Sequence, residues 1–362
     1  MQEILFTALV VTAIASALAA VLTLADRTVG NYGQVQMTIN NDKQFTVEGG
    51  KTLLSTLIGQ KVFIPSACGG KGSCGYCKVK VHDGGGPVLA TEKPMLTEEE
   101  LANDVRISCQ IKVKQDIQIE IPEELFNVKE YDTTVERVEQ LTKTIKLLRF
   151  NLGEETISFK PGQYVQLKAP AYEGNDEEVY RAYSVASSVN DPNHLELLIG
   201  YTGGIATTYV HQHLKEGDEV NINGPYGDFH YQEDDGGPII MAAAGTGMAP
   251  ILSILQYMAD HEIQREAIFF FGARTMEDLF LSEKMKEFEE KLNFRYVPAL
   301  SREESAEWTG IKGRVPVAID QFIKDGAPYS AYLCGSPQMI DSIRESLKEH
   351  GVPEEKIYYD EF

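Results

Sequence analysis

Cys68-Gly-Gly-Lys-Gly-Ser-Cys74-Gly-Tyr-Cys77 is followed 32 positions later by a fourth cysteine, Cys109. Three thiols on one tight loop and a distant fourth make a cage for two irons, and the interleaved glycines let backbone N–H groups turn inward toward sulfide. The reading is a [2Fe-2S] centre with Cys68, Cys74, Cys77 and Cys109 as metal ligands, and therefore one-electron chemistry. A structural zinc site also takes four cysteines, but it normally shows two CxxC-like pairs, and only Cys74 and Cys77 form one here. A disulfide framework suits a short secreted chain rather than 362 residues with five cysteines. Cys334, the fifth, lies far from the others.

Working outward, 362 residues with 43 % hydrophobic content are enough for several cores. The formal net charge of −21 argues against a nucleic-acid partner, because nothing would neutralise phosphates. Ile4 to Ala25 runs without a charge between Glu3 and Asp26-Arg27. At 1.5 Å per residue this stretch just crosses ~30 Å of hydrocarbon. A cleaved signal peptide is the alternative, with Ala17-Leu18-Ala19 as its cleavage site, but the start Met-Gln-Glu lacks a basic n-region. A retained single-pass anchor over 1–27 is expected, with Arg27 placing the remainder in the cytoplasm.

From 34 to 124 the chain reads as a small α+β domain. Val35–Ile39 and Gln44–Val47 alternate as a hairpin, a helix follows from about Thr52, and Lys78–His82 is a strand. Thr97 and Glu100 make a capping box. Ile121 to Tyr131 is a junction. From 131 to 231, short period-two strands between turn residues predict a small antiparallel barrel. It contains Arg181-Ala-Tyr183-Ser184 and Gly203-Gly204-Ile-Ala-Thr207. Arg181 would balance a pyrophosphate, helped by N–H groups opening after Gly204, and Tyr183 offers an aromatic face to a flat ring.

From 236 to 362 the pattern is a parallel α/β alternation of five units, and a floppy tail is the plain alternative for the terminal Tyr358–Phe362. Pro238–Ala244 is a continuous apolar run followed by Gly245-Thr246-Gly247-Met248 and a helix, an arrangement that aims helix-terminal amides at a dinucleotide phosphate. Pro250 replaces the third glycine of the usual fingerprint. Later strands end in Gly272-Ala-Arg274, in Ser301-Arg302 and in Cys334-Gly335-Ser-Pro. Glu303-Glu304 follows Ser301-Arg302 and would repel a 2′-phosphate, which favours NADH.

The first domain resembles the β-grasp ferredoxins, with Cys-x5-Cys in place of the plant-type x4 spacing. Arg-x-Tyr-Ser followed by Gly-Gly-x-x-Thr resembles the FAD-binding barrel of the ferredoxin–NADP reductase superfamily. That resemblance implies FAD, with Tyr183 and Ser184 at the isoalloxazine, Ser184 near N5, and the phosphates on Arg181 and on the backbone from Gly203 to Thr207. It further implies a nicotinamide against Cys334 and Gly335, adenosine toward Arg274, Ser301 and Arg302, and a C-terminal aromatic, Phe362, that covers the flavin until nicotinamide displaces it.

The order anchor, ferredoxin, flavin barrel, nucleotide domain resembles the F subunits of sodium-pumping NADH:quinone oxidoreductases along essentially the whole chain. The implied function is a membrane-anchored NADH-oxidising reductase that passes electrons from NADH through FAD and [2Fe-2S] to a membrane or protein acceptor, within a membrane complex at the cytoplasmic membrane. The stretch from Pro170 to Arg181 is shorter than in that family. The alternative is an NADH-dependent reductase component serving an oxygenase or another soluble partner. NADH delivers only hydride and the cluster takes one electron, so a carrier able to do both must stand between them.

Overall fold

The computed structural model describes Phe6, Leu9, residues 11–19 and residues 32–362. Most of the expected anchor therefore lies outside the described residues. Residues 11–19 are helical, and among the described residues no helix is long and apolar enough to cross a membrane. The described residues divide into two compact units between Val128 and Lys129.

The first unit holds a mixed five-stranded sheet of β1 (Gln34–Ile39), β2 (Lys43–Glu48), β3 (Lys78–Asp83), β4 (Val105–Ile107) and β5 (Ile117–Glu120), in the order β2-β1-β5-β3-β4. Alternation along β1 sends Val35, Met37 and Ile39 inward. They meet Leu53, Leu54 and Leu57 of the helix Leu53–Gly59, whose start is capped by Thr52 accepting from the Ser55 N–H. Cys77 and Cys109 belong to this same core. The thiol loop is thus seated on a packed base at its C-terminal end.

The second unit begins with six antiparallel strands: β6 (Lys129–Gln140), β7 (Ile145–Asn151), β8 (Tyr164–Ala169), β9 (Val179–Ser184), β10 (His194–Gly200) and β11 (Glu219–Tyr226). Their order is β10-β7-β6-β11-β8-β9, and a bridge between Val185 and Leu197 joins the two edges into a closed barrel. Then come β12 (Ile239–Ala244), β13 (Ala267–Ala273), β14 (Phe294–Leu300), β15 (Ile311–Lys312), β16 (Ser330–Gly335) and β17 (Ile357–Glu361), all parallel, in the order β15-β14-β13-β12-β16-β17.

Successive residues of β12 face opposite cores. Met241 and Ala243 point to the side covered by helices Met248–Asp260 and Ser282–Lys291; Ile240 and Ala242 point to the side covered by Val315–Phe322 and Pro337–Glu349. That is why the run reads as uniformly apolar. Ile145, Leu147, Ala186 and Leu198 of the barrel join the first of these cores, so barrel and parallel sheet are welded through apolar contact. Strand order reverses between β12 and β16, and the crevice at their C-terminal ends is where an open α/β sheet takes a ligand. The five-unit alternation expected from sequence is short by one strand: the C-terminal stretch is no tail but pairs as β17 along β16.

Candidate functional site

Gly69, Gly70, Gly72 and Gly75 all adopt positive φ, between 65° and 83°, which wraps the loop around its thiols. At Gly72 the demand is also steric, since a Cβ would fall 2.2 Å from the Gln110 Nε2. The sulfurs stand in two pairs. Cys68 and Cys74 Sγ are 3.3 Å apart, and Cys77 is hydrogen-bonded to Cys109, which also accepts from Gln110 Nε2 at 3.5 Å. Sharing a proton with its partner holds Cys68 down at about 3 and Cys109 at about 7, while Cys74 and Cys77 are pushed up.

Among the described residues no three metal-ligating groups converge on one point. One tetrahedral zinc would need all four sulfurs around a single centre. Two sulfide-bridged irons need two thiolates each, and a pair-plus-pair set with no histidine or carboxylate fits that demand. The Cys68–Cys74 pair is half-buried and the Cys77–Cys109 pair is buried.

Within the same domain lies a pair that sequence reading missed. Arg106 donates to Glu92 through Nη2 at 2.7 Å and Nε at 2.9 Å, and Glu92 also accepts the Leu89 and Ile107 N–H groups. Arg106 further donates to the carbonyls of Gly86 and Pro87 at 2.9 and 3.1 Å. Both side chains are buried. An arginine inside the apolar run Val105–Ile107 was the one signal that could have revealed it.

In the barrel, Arg181, Tyr183 and Ser184 lie on β9, paired with β8. Arg181 Nη1 donates to the Tyr180 carbonyl at 2.8 Å, and no carboxylate among the described residues pairs with it. The Tyr183 hydroxyl is buried with no hydrogen-bond partner. An unsatisfied phenol costs about 1–3 kcal/mol, so it is a place prepared for a polar ligand atom, as a flavin in contact with Tyr183 would provide.

The Gly203–Thr207 segment opens only one helical turn, Ile205–Thr208, before a π-turn from Tyr209 to His213. Thr207 Oγ1 accepts the Thr202 N–H at 3.2 Å and donates to the Gly204 carbonyl at 3.2 Å, and the Tyr172 hydroxyl donates to the Ile205 carbonyl at 3.1 Å. The segment is therefore braced from both sides.

The ends of β12 and β16 bring together the backbone of Gly245, Thr246, Gly247, Cys334, Gly335 and Phe362. A Cβ at Gly247 would meet the Cys334 carbonyl at 2.4 Å, so only glycine lets the turn lie on β16. Thr246 Cγ2 would lie 3.4 Å from a Cβ on Gly200, at the end of barrel strand β10. The Phe362 N–H donates to the Gly335 carbonyl at 3.2 Å while its ring is 55 % exposed. Met248 does not join them through its side chain, which is fully buried in the core; only its backbone faces the turn. Cys334 is likewise fully buried, and burial pushes its thiol well up.

Asp360, unremarked in the sequence, pairs with Cys334 in the sheet register. Burial, and then the charge of Glu361, raise its carboxyl to about 6. A carboxyl raised in the folded state contributes stability that is present below its unfolded value and lost as pH rises through the folded one. Asp360→Asn is expected to raise thermal stability relative to the parent above pH 6, by up to about 3 kcal/mol, with the gain fading by pH 4. Melting curves across that range check it, and a pH-independent difference refutes the assignment.

Arg274, Ser301 and Arg302 come together at the neighbouring ends of β13 and β14. The Ser301 N–H donates to the Ala273 carbonyl at 3.0 Å and the Arg302 N–H to the Arg274 carbonyl at 2.8 Å. Glu303 accepts from the Met276 and Ser305 N–H groups at 2.8 and 2.9 Å, and these bonds hold its carboxyl below the usual range. A fixed negative charge beside Arg302 opposes a 2′-phosphate. We expect kcat/KM for NADPH to be at least about tenfold below that for NADH; equal values would remove this role from Glu303.

Three family models match the chain: a 2Fe-2S iron-sulfur cluster binding domain at 37–114, an oxidoreductase FAD-binding domain at 132–231 and an oxidoreductase NAD-binding domain at 241–345. The chain is 34 % identical to the F subunit of the Na(+)-translocating NADH-quinone reductase of Marinomonas sp., covering 99 % of this chain and 98 % of that one. It is also 34 % identical to the same protein of Pseudomonas paraeruginosa, covering 97 % and 96 %. The first alignment runs over 404 positions against the 362 residues here, so that relative carries segments this chain lacks. Among solved structures, a cytochrome P450 reductase from Amycolatopsis has a TM-score of 0.72 at 28 % identity, covering 91 % of this chain and 98 % of that one. The ferredoxin reductase of carbazole 1,9a-dioxygenase has a TM-score of 0.70 at 23 % identity over the same shares, a likeness of fold.

Proposed function

Because the chain belongs to the family of the Na(+)-translocating NADH-quinone reductase F subunits, we propose that it is the NADH-oxidising, membrane-anchored input component of a membrane electron-transfer complex. It is an NADH-dependent oxidoreductase with FAD and [2Fe-2S] domains. The observation that carries the proposal is the pair-plus-pair arrangement of four thiols in a chain that also holds a flavin barrel and a parallel nucleotide sheet. When bound, FAD supplies hydride acceptance and the cluster supplies one-electron transfer.

The chain's own residues do the positioning. Arg181 and the backbone from Gly203 to Thr207 would hold the flavin phosphates, and Tyr183 and Ser184 the isoalloxazine. Gly245, Thr246, Gly247 and the Met248 backbone would receive the nucleotide pyrophosphate. Arg274, Ser301 and Arg302 would take its adenosine end, leaving Cys334 and Gly335 at the nicotinamide and Phe362 as the displaceable cover. In each case the group aligns and excludes water rather than moving a proton. Of the thiol pairs, Cys68–Cys74 is the more exposed and is the natural side of electron exit. Arg181→Ala is expected to lower flavin content at least about tenfold, because a doubly charged pyrophosphate loses its bidentate partner. Stoichiometric flavin after purification contradicts that role.

The anchor is supported by the apolar run Ile4–Ala25 and by the exposure of Val11, Ile14 and Leu18, each at least 57 % exposed. A second reading, service to an oxygenase, draws on the P450 reductase likeness. The full-length alignments, which include the apolar start, favour the membrane complex. Solubilising the native membrane in mild detergent and isolating the chain separates the two. A quinone-reducing membrane assembly should come with it, and recovery alone or with a soluble oxygenase would favour the second.

A further inference from the structure

We propose that the ferredoxin domain carries a second membrane contact of its own, a face that docks on anionic phospholipid headgroups beside the thiol cluster. Tyr32 is where the described domain begins, and it is fastened there: the Gly49 N–H donates to the Gly33 carbonyl at 2.8 Å. Lys112 and Lys114 place their ammonium groups 5.6 and 6.0 Å from the Tyr32 ring centre. Neither ammonium has a carboxylate within ion-pair distance among the described residues, although the chain has 54 acidic residues against 33 Lys and Arg.

The same two lysines line a cleft of about 300 Å³ that they share with Leu89, Arg106 and Gln110, and no carboxylate lines it. The loop on its rim is apolar at the tip: Val88 is 37 % and Leu89 42 % exposed. Arg106, held by Glu92, pins that loop through the Gly86 and Pro87 carbonyls, so the tip is presented rigidly. An aromatic ring, two unpaired cations and a fixed apolar tip on one face are the parts of an interfacial membrane site.

Position supplies the occupant. Residues 26–31 separate the apolar run from Tyr32, and six residues reach at most about 22 Å, so this face cannot be far from the bilayer. In a chain of net charge −21 an anionic surface repels the molecule as a whole, which lets a lysine pair at the tether decide the orientation. Gln110, which lines the cleft, also donates to Cys109 Sγ at 3.5 Å, so docking would bring the cluster down to the headgroups. This inference rests on the anchored reading.

The test uses the full chain in nanodiscs containing about 30 % anionic phospholipid and acyl-chain spin-labelled lipid as quencher. Leu89→Trp fluorescence should be quenched, with Trp308 of the parent chain as the unquenched control. Lys112→Gln and Lys114→Gln should each lower the docked fraction about fivefold, and zwitterionic discs should abolish the quenching. Should Leu89→Trp disturb the loop, Val88→Trp reports the same contact, and an unchanged rhombic EPR signal of the reduced protein confirms that the domain is folded. Disc-bound chain with no quenching in either variant overturns the proposal while leaving the anchor intact. Quenching that appears only when the other membrane components are added overturns it too, in favour of a protein partner. A chain that does not enter discs refutes the anchor reading instead.

Discussion

Cys74→Ser is expected to abolish the rhombic EPR signal of the reduced protein, and with it reduction of any acceptor served by the cluster, while flavin content and NADH:ferricyanide turnover persist. The reason lies in the pairing. Cys74 Sγ stands 3.3 Å from Cys68 Sγ, and in the proposed arrangement that pair would supply both thiolates of one iron. A serine hydroxyl ionises far less readily than a thiol and is a poor substitute at a sulfur-selective site. The flavin and nucleotide sites are built in a separate unit, Lys129–Phe362, with its own cores, so they should not follow. Cys334→Ser is the matched control. Its thiol is fully buried in a core of the second unit, and its loss should leave the EPR signal intact. A signal unchanged in Cys74→Ser would remove Cys74 from the ligand set.

The largest loss of stability should come from Glu92→Ala. It would leave the Arg106 guanidinium buried without its counter-charge and strip acceptors from the Leu89 and Ile107 N–H groups. Breaking a buried pair on one side costs about 3–5 kcal/mol, a large part of the stability of a domain of this size. Burial opposes ionisation of Glu92, but the bonds from Arg106, Leu89 and Ile107 prevail and hold its carboxyl below the usual range. This contribution is therefore present above the unfolded value of 4.5 and is lost as pH falls through the lower folded value. Cluster bleaching on heating should move to lower temperature in the variant, with flavin release unmoved. Coincident shifts of both transitions, or none, would count against a clamp confined to the cluster domain.

Elements announced by local chemistry were legible in the sequence. The thiol loop could be read from Cys and Gly spacing, the buried β12 from its unbroken apolar run, and the short helix Glu98–Ala102 from the Thr97 and Glu100 capping box, whose two reciprocal bonds are formed. Features that depend on sheet register were not legible. Asp360 acquires meaning only because β17 pairs with β16, and a terminal Tyr-Tyr-Asp-Glu-Phe carries no period that would have declared a strand. The Glu92–Arg106 pair spans 14 positions and lies across a loop, a separation at which no helix or strand rule connects side chains. The Gly203-Gly204 start was recognised, but the wide π-turn at Tyr209–His213 was not. That turn depends on tertiary bracing, including Lys146 Nζ donating to the His211 carbonyl at 3.0 Å.

The claim on which the account turns is that one chain takes electrons in pairs from NADH and holds a separate one-electron site fed from them. Anaerobic titration of the full chain with NADH, followed in parallel by visible absorbance and EPR, tests this directly. The account predicts uptake of about three reducing equivalents per chain, with the rhombic signal rising to about one spin as the flavin bleaches. Saturation at about two equivalents, with flavin bleached and no rhombic signal in protein containing full iron and sulfide, would contradict it.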